Sequence, residues 1–182
     1  KEEDRKAAKQ VNFGIVYLIS PLGLSGKLGC SEARAKSLID DWFEEFHEVK
    51  RYIERAKLRV VKNGFVTNIF GRKRRFFGTN PSTPEGRENQ RQGVNATIQG
   101  GAGDLTKWVG TRLHWGIAKQ GLQGLLIANV HDAVIVDCIN EKEAMKIGKL
   151  LKQIATHPPV QLIVPLEMEL KIGKRWSDLK EV

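Results

Sequence analysis

The sequence predicts a mixed α/β fold of the α+β type, with long helices followed by an antiparallel hairpin. Apolar residues recur every three or four positions over residues 31–62 and 88–119, which indicates two long helices that each bury one face. Two apolar runs, 125–130 and 133–139, are joined by two residues, as is typical of a β-hairpin. The chain has 182 residues, of which 41% are apolar, enough for the core of one domain or of two small ones.

A shorter helix and a loop precede the first long helix. Residues 4–17 contain adjacent alanines and no proline, which favours a helix. Pro21 and the glycines up to Gly29 predict a loop. Ser31 is a suitable N-cap for the long helix, which is predicted to end near Lys62. The buried stripe of this helix is predicted to consist of Leu38, Trp42, Phe46, Val49, Ile53, Ala56 and Val60.

A strand and a loop precede the second long helix. Asn63-Gly64 is typical of a helix C-cap, and residues 65–70 are a strand candidate. After a loop at 82–86, the helix is expected over about 88–119. Glycines at 100, 101 and 103 weaken it, so we expect another part of the chain to pack closely there. Its inner stripe is predicted to be Val94, Ile98, Ala102, Leu105, Val109 and Leu113.

The last third contains the hairpin, a helix and a strand. His131 and Asp132 separate the two apolar runs of the hairpin. A helix is predicted over residues 142–155. Apolar and charged residues alternate over residues 166–172, which predicts a strand with one buried face.

The formal net charge of +9 indicates a polyanionic partner. Four consecutive basic residues occupy Arg72 to Arg75, and Arg87 lies one helical turn before Arg91. Charge alone is equally consistent with an ordinary solvated basic surface. Cys30 and Cys138 lack metal-ligand spacing, so we expect reduced, partly buried thiols in a cytosolic protein. No apolar run approaches the length of a membrane span, and we expect no membrane partner.

Arg5, Lys9, Phe13 and Tyr17 follow one another at intervals of four, so they share one face of the first helix. Cations are suited to a triphosphate, and aromatic rings are suited to a sugar and a base. The alternative is an amphipathic helix with solvated charges and core aromatics, which the spacing by itself favours.

Arg5-x3-Lys9-x3-Phe13-Gly14-x2-Tyr17 resembles motif B, the fingers helix of the family A DNA polymerases. The resemblance implies that Arg5 and Lys9 bind the phosphates of an incoming dNTP and that Lys9 donates a proton to the departing pyrophosphate. It also implies that Phe13 packs on the sugar and that Tyr17 stacks near the template base.

Arg91, Asn95 and Gln99 lie at successive i+4 positions in a stretch similar to the family's helix along the primer-template. The resemblance implies that they bind DNA and that Gln99 reaches the minor groove, whose acceptors are shared by all base pairs. An exposed helix face without function is the alternative for these polar residues.

His131-Asp132 resembles motif C of the same family, a hairpin in the palm. The resemblance implies that Asp132 binds two catalytic Mg²⁺ ions and that His131 contacts the primer end. Two positions depart from the family pattern. Ala133 replaces the glutamate of His-Asp-Glu, and Leu18 replaces the glycine that normally follows the motif B tyrosine.

Further matches cover most of the chain in order: Thr67-x3-Gly71-Arg72 resembles a glycine-arginine segment, and Gly173-x2-Trp176 resembles the family's terminus. The resemblance implies a right-hand polymerase with fingers helices at 1–80 and the C-terminal part of an antiparallel palm sheet at 81–182.

Nucleotidyl transfer in this family uses two metal ions held by two aspartates. The second aspartate belongs to motif A, an Asp-Tyr-Ser-like segment, and the 182 residues contain none. We therefore expect an N-terminal segment of the same polymerase as a partner, together with primer-template DNA and dNTP. The expected location is the cytoplasm with the nucleoid, or the host cytoplasm for a viral enzyme.

Three functions compete at this point. The first is the C-terminal segment of a DNA-dependent DNA polymerase. The second is a catalytically inactive DNA-binding remnant, for which Leu18 and Ala133 are the best support. The third is a single-subunit RNA polymerase, against which the Phe13-Gly14 pair and Gln99 favour DNA synthesis.

Overall fold

The computed structural model of the protein describes residues 2–182, and among residues 2–10 it describes the side chains of Arg5, Ala8 and Lys9. The described residues form helices and two-stranded antiparallel sheets, which confirms the α+β class. The helices are α1 (Glu2–Val16), α2 (Pro21–Leu28), α3 (Glu32–Glu45), α4 (His47–Asn63), α5 (Pro84–Lys119) and α6 (Glu141–Ala155). The strands are β1 (Phe65–Thr67), β2 (Lys73–Arg75), β3 (Gly124–Val130), β4 (Ala133–Cys138), β5 (Lys171–Ile172) and β6 (Lys180–Glu181).

The described chain divides into two compact units within α5, between Ile98 and Gln99. In the first unit, Ile53 and Ala56 of α4 pack with Val94 of α5. A second cluster of the same unit joins Val60, Val66 and Phe76. The expected boundary between fingers and palm, between residues 80 and 81, differs in position from this division and stays a prediction.

The core of the second unit joins the C-terminal half of α5 to α6. Leu113 is fully buried and Ile147 is 2% exposed, and both belong to a cluster with Val109, Ile117 and Leu151. The hairpin of β3 and β4 packs its inner side chains on this cluster, among them Leu126, Val134 and Val136.

The loop predicted from Pro21 to Gly29 is wrong, because these residues form α2. The Ser20 side chain caps the helix by accepting a hydrogen bond from the Gly23 N–H at 3.1 Å. Pro21 occupies the first helical turn, where its missing N–H is not needed. Gly29 ends the helix in the left-handed region at φ 64°.

The single helix predicted over residues 31–62 is two helices, α3 and α4, separated at Phe46. Phe46 has φ −101° and ψ 53°, outside the helical region, and its ring lies 4.7 Å from that of Trp42. Phe46 is 47% exposed, so its place in the buried stripe is also wrong. The predicted caps at Ser31 and Gly64 are confirmed.

Helix α5 begins at Pro84, four residues before the predicted start. Val94 and Leu113 are buried as predicted, whereas Ile98 is 43% exposed and Ala102 is exposed. The close packing expected at the glycines is absent at Gly103, whose position faces open space among the described residues. Gly101, however, is buried, and close packing also occurs at Gly93, where a Cβ atom would clash with Val60.

Of the predicted strands, the hairpin forms in full and the other two are shorter than predicted. The hairpin is confirmed, with Val130 paired to Ala133 across the turn. The strand at 65–70 is limited to β1, which pairs with β2. The strand predicted over 166–172 keeps its alternating burial but forms a ladder only at β5, because only its end has a partner strand, β6.

Cys30 and Cys138 are free and half-buried, as expected. Burial, together with the charges of Asp137 and Glu143, raises the pKa of the Cys138 thiol, which disfavours the reactive thiolate. Within residues 2–182, no helix combines the length and the apolar character that crossing a bilayer requires.

Candidate nucleotide pocket and hairpin carboxylate

A cavity of about 520 Å³ opens in the first unit beside α1 and α2. Three of the predicted motif B residues, Lys9, Phe13 and Tyr17, line it together. Arg91 of α5, which was predicted to bind DNA, lines the same cavity. The remaining lining residues are Gly14, Ile19 and Lys27. Arg5 lies one turn before Lys9, is exposed, and is not among the residues that line the cavity.

Phe13 of α1 is stacked on Tyr17, which directly follows the helix; Phe13 is exposed and Tyr17 is half-buried. The rings of Phe13 and Tyr17 have centroids 6.4 Å apart and planes 10° apart. The Lys9 ammonium lies 5.7 Å from the centroid of the Phe13 ring, within the range of a cation–π contact. Phe13 is 53% exposed, so the alternative in which it is a core residue is wrong.

A Schellman-type cap fixes the end of α1. The Leu18 N–H donates to the Ile15 carbonyl at 2.9 Å, and the Ile19 N–H donates to the Gly14 carbonyl at 2.8 Å. Leu18 sits in the left-handed region at φ 59°, the position that glycine usually occupies. An L-residue there costs about 1–2 kcal/mol in backbone energy. Tyr17 directly precedes this residue, so the cap sets where its ring projects.

A side-chain hydrogen bond from α3 also holds α1, just before Phe13. The indole N–H of Trp42 in α3 donates to the Asn12 side-chain oxygen at 2.8 Å. Asn12 is adjacent to Phe13 in the sequence. Helix α1 is therefore tied to its own unit on both sides of the stacked rings.

Arg91 is paired with a neighbouring carboxylate. Its guanidinium donates two hydrogen bonds to Glu88, each at 2.9 Å, and the Gln92 amide donates a third at 3.0 Å. Arg74 of β2 in turn donates to Gln92 at 2.7 Å. The hydrogen bonds from Arg91, and to a lesser extent the one from Gln92, lower the pKa of Glu88. The hydrogen bond to Glu88 in turn raises the pKa of Arg91. Both groups are therefore charged at neutral pH, and Arg91 has a partner that an incoming phosphate would have to displace.

The other two predicted DNA-binding residues of α5 differ in their surroundings. Asn95 is half-buried, and its side-chain oxygen is enclosed without a hydrogen-bond partner among the described residues. An enclosed acceptor without a partner is uncommon and requires an explanation. Gln99 is exposed, and its amide is therefore free to meet a ligand.

In the second unit, the hairpin places His131 and Asp132 at its turn, and both are exposed. His131 adopts φ 55°, a left-handed conformation that histidine tolerates better than most residues. The base of the hairpin is held by Glu143 of α6, which accepts a hydrogen bond from the Gln123 N–H at 2.9 Å. That bond and one from Lys146 lower the pKa of Glu143.

The hairpin turn supplies one ligand of the kind that Mg²⁺ prefers. The carboxylate oxygens of Asp132 suit a hard cation. Among the described residues, however, no group of three or more His, Cys, Asp and Glu side chains is arranged to hold a metal ion. Asp132 would supply one carboxylate to a Mg²⁺ site, and the other ligands of that site would have to come from elsewhere.

The family model of DNA polymerase family A matches residues 1–178. The chain belongs to this family. Among similar proteins, DNA polymerase I of Chloroflexus aurantiacus is 33% identical over 178 residues, which are 98% of this chain and 19% of that protein. DNA polymerase I of Helicobacter pylori is 35% identical over 179 residues, 98% of this chain and 20% of that protein. The chain therefore spans about a fifth of the length of these relatives.

A solved family A structure has the same fold. The POL domain of Pol1 from M. smegmatis, in complex with DNA primer-template and dNTP, matches with a TM-score of 0.83 and 28% identity. The match covers 92% of this chain and 29% of that one. The family assignment and the fold thus rest on independent comparisons of sequence and structure.

Sequence reasoning missed two residues of the cavity in this family A chain, Ile19 and Lys27. Ile19 is wedged between α1 and α2, because a Cβ atom added at Gly14 or at Gly23 would lie 3.1 Å from its side chain. Lys27 lies one turn after Gly23, on the same face of α2. That spacing becomes informative only when residues 21–28 are recognised as a helix.

Proposed function

We propose that this chain is the C-terminal segment of a DNA-dependent DNA polymerase and takes part in template-directed dNTP incorporation by two-metal nucleotidyl transfer. The observation that carries the proposal is the cavity in which two cations, Lys9 and Arg91, accompany the stacked rings of Phe13 and Tyr17. Cations bind phosphates and exposed rings bind bases or sugars, so one surface offers complementary groups for a whole nucleotide.

The first helix binds the incoming dNTP in this proposal. Arg5 and Lys9 bind the phosphates, and Lys9 donates its proton to the departing pyrophosphate. Phe13 packs on the sugar and Tyr17 stacks near the template base. The exposure of Phe13 and the position of Lys9 beside its ring support this order of groups along α1.

The helix α5 and the hairpin bind the primer-template. Arg91 exchanges the carboxylate of Glu88 for a DNA phosphate, and the exposed Gln99 probes the minor groove. Asn95 turns its side chain outward to contact the DNA, which exposes the oxygen that is enclosed without a partner among the described residues. His131 contacts the primer end from the hairpin turn.

Asp132 holds the metal ions in the proposed reaction. Two Mg²⁺ ions, when bound, activate the primer 3′ oxygen and stabilise the charge on the transferred phosphoryl group. The hairpin turn keeps the Asp132 carboxylate exposed for this role, and the Glu143 bond holds the base of the hairpin.

The proposed partner that completes the site is the N-terminal segment of the same polymerase, with the motif A aspartate and the thumb. The single carboxylate at the hairpin turn supports this partner. So do Leu125 and Ile127 of β3, which are 63% and 57% exposed on one face of a two-stranded sheet. Such a sheet is marginally stable without further packing. The proposed location of the assembled enzyme is the cytoplasm, with the nucleoid.

The alternative is an inactive DNA-binding remnant, which Ala133 and Leu18 favour. Primer extension separates the two. The chain alone, with Mg²⁺ and dNTPs and free of host polymerase, should not extend a primer. The chain assembled with the N-terminal segment should extend it, and the same assembly with Asp132→Asn should not. Extension by the chain alone contradicts the proposal, and an assembly that binds DNA without extending primers supports the remnant.

A further inference from the structure

The backbone of Leu18 forms part of the C-terminal cap of α1, and its side chain packs against a buried cluster. We infer that Leu18 is a positioning residue that fixes Tyr17 and Ile19 in the wall of the nucleotide cavity and thereby sets selectivity for the correctly paired dNTP. This inference rests on the proposed function of the same cavity. It concerns a position at which the chain has leucine and the family pattern has glycine.

The backbone of Leu18 adopts a conformation that leucine rarely adopts. At φ 59° it occupies the left-handed position of the cap, with the adjacent Ile19 N–H donating to Gly14. Glycine populates this region without strain, whereas leucine does so only when surrounding contacts hold it. Something other than local preference therefore keeps this conformation.

The side chain of Leu18 provides that contact. It packs against the buried cluster of Ile53, Ala56 and Val94. Val94, one member of this cluster, lies three residues after Arg91 on α5. Leu18 thus ties the end of α1 to a cluster built from α4 and from the helix that carries Arg91.

The two sequence neighbours of Leu18 both line the cavity. Tyr17 stacks on Phe13, and Ile19 is wedged against Gly14 and Gly23. A shift of Leu18 moves both residues, because they share its peptide bonds. A wall fixed in this way distinguishes a correct base pair from a mispair by shape.

The test uses the complete polymerase, in which this chain is assembled with its N-terminal segment. The variants are Leu18→Gly, which removes strain and anchor, Leu18→Ala, which removes the anchor alone, and Leu18→Met, which keeps an apolar anchor. Val60→Ala is the matched control, because Val60 is buried in the separate cluster with Val66 and Phe76. We measure kcat/KM for paired and mispaired dNTP, the DNA Kd and the Tm.

We expect Leu18→Gly and Leu18→Ala to lower the ratio of paired to mispaired kcat/KM roughly tenfold, since small misplacements near reacting groups have effects of this size or larger. The DNA Kd should stay unchanged, and Leu18→Met should restore the wild-type ratio. An unchanged ratio in folded Leu18→Gly overturns the inference and leaves the proposed function standing. The inference is also overturned if Val60→Ala has the same Tm as the Leu18 variants and loses selectivity to the same extent, because Leu18 would then act through stability alone.

Hydrogen exchange of the assembled polymerase, without primer-template or dNTP, tests the positioning without any activity. Leu18→Ala should accelerate exchange of the Ile19 amide, which is hydrogen-bonded to Gly14, relative to amides of α4. Wild-type protection at Ile19 in Leu18→Ala overturns the inference. A wild-type assembly that does not extend primers instead contradicts the proposed function, and accelerated exchange would then still support the positioning role of Leu18.

Discussion

Phe13 of α1 and Tyr17, which directly follows the helix, have nearly parallel rings, 6.4 Å between centroids and 10° between planes. Phe13 is 53% exposed and Tyr17 is half-buried. The stacked pair therefore leaves part of a flat aromatic surface open to a ligand. The proposed ligands of this surface are the dNTP sugar and the template base.

Phe13→Tyr should relax discrimination against dideoxynucleotides in the complete polymerase, with little change for normal dNTPs. A dideoxynucleotide lacks the 3′-hydroxyl, and a tyrosine hydroxyl packed on the sugar can take its place. Because Phe13 is exposed, the added hydroxyl should not be buried without a partner, so stability should change little. Competitive incorporation of dideoxy and normal nucleotides by both variants measures the effect. A destabilised variant with unchanged selectivity would place the other face of α1 over the nucleotide.

Lys9→Ala should impair dNTP use much more than DNA binding, because Lys9 lies one turn from Phe13 toward the proposed phosphates. We expect a loss of at least about tenfold in kcat/KM for dNTP, as for the loss of a charge-assisted contact. Lys50→Ala is a matched control, since Lys50 also lies over an aromatic ring, 5.9 Å from the centroid of Phe43, but outside the cavity lining. Equal losses of dNTP and DNA affinity in Lys9→Ala would indicate a general basic patch.

Glu88→Gln should strengthen DNA binding at low salt. The change removes the carboxylate that pairs with Arg91 and leaves the guanidinium available to a phosphate. One additional phosphate contact should make the slope of log K against log salt more negative by about 0.9. Glu48→Gln is the control, because Glu48 forms a comparable exposed pair with Arg51 at 2.7 Å. If both variants change the slope equally, the increase in DNA affinity reflects net charge, and Arg91 does not bind a phosphate specifically.

Acid should loosen the base of the hairpin through Glu143. The Gln123 N–H and Lys146 lower the pKa of Glu143 in the folded state, so the stabilisation is present above the pKa of the unfolded chain. It is lost as the pH falls through the lowered folded-state pKa. Thermal unfolding between about pH 7 and about pH 3 should show Glu143→Gln less stable than wild type at neutral pH, with a smaller difference in acid. The exposed Glu141→Gln should not show this pattern, and parallel curves for wild type and Glu143→Gln would exclude the role.

The hairpin and the cap at Gly64 could be predicted because each has a local signal. Two apolar runs around a short turn form a hairpin in most contexts, and glycine after the last helical residue supplies the left-handed cap. Helix α2 could not be read in this way, because Ser20, Pro21 and Gly29 are signals both of a loop and of a short capped helix. Because α2 was predicted as a loop, Lys27 was not identified as a cavity residue; its position in the cavity wall depends on the helical spacing from Gly23.

Other features depend on tertiary contacts that periodicity does not contain. The break at Phe46 has neither proline nor glycine to mark it. Ile98 continues the apolar spacing of α5 but lies where the described chain divides, and it is 43% exposed. The site residues were identified from family motifs in order, and the spacing on α1 alone had favoured a core role for Phe13.

The proposed role of Asp132 is that of a catalytic metal ligand in a family A polymerase assembled from this chain and its N-terminal segment. The most direct measurement is single-turnover incorporation by the assembled enzyme with Mg²⁺, comparing wild type, Asp132→Asn and the neighbouring Ala133→Glu. We predict that Asp132→Asn lowers the rate by at least about 100-fold while DNA binding persists, consistent with the loss of transition-state charge stabilisation. Ala133→Glu should keep or modestly raise the rate. Near-wild-type turnover by Asp132→Asn would contradict this role.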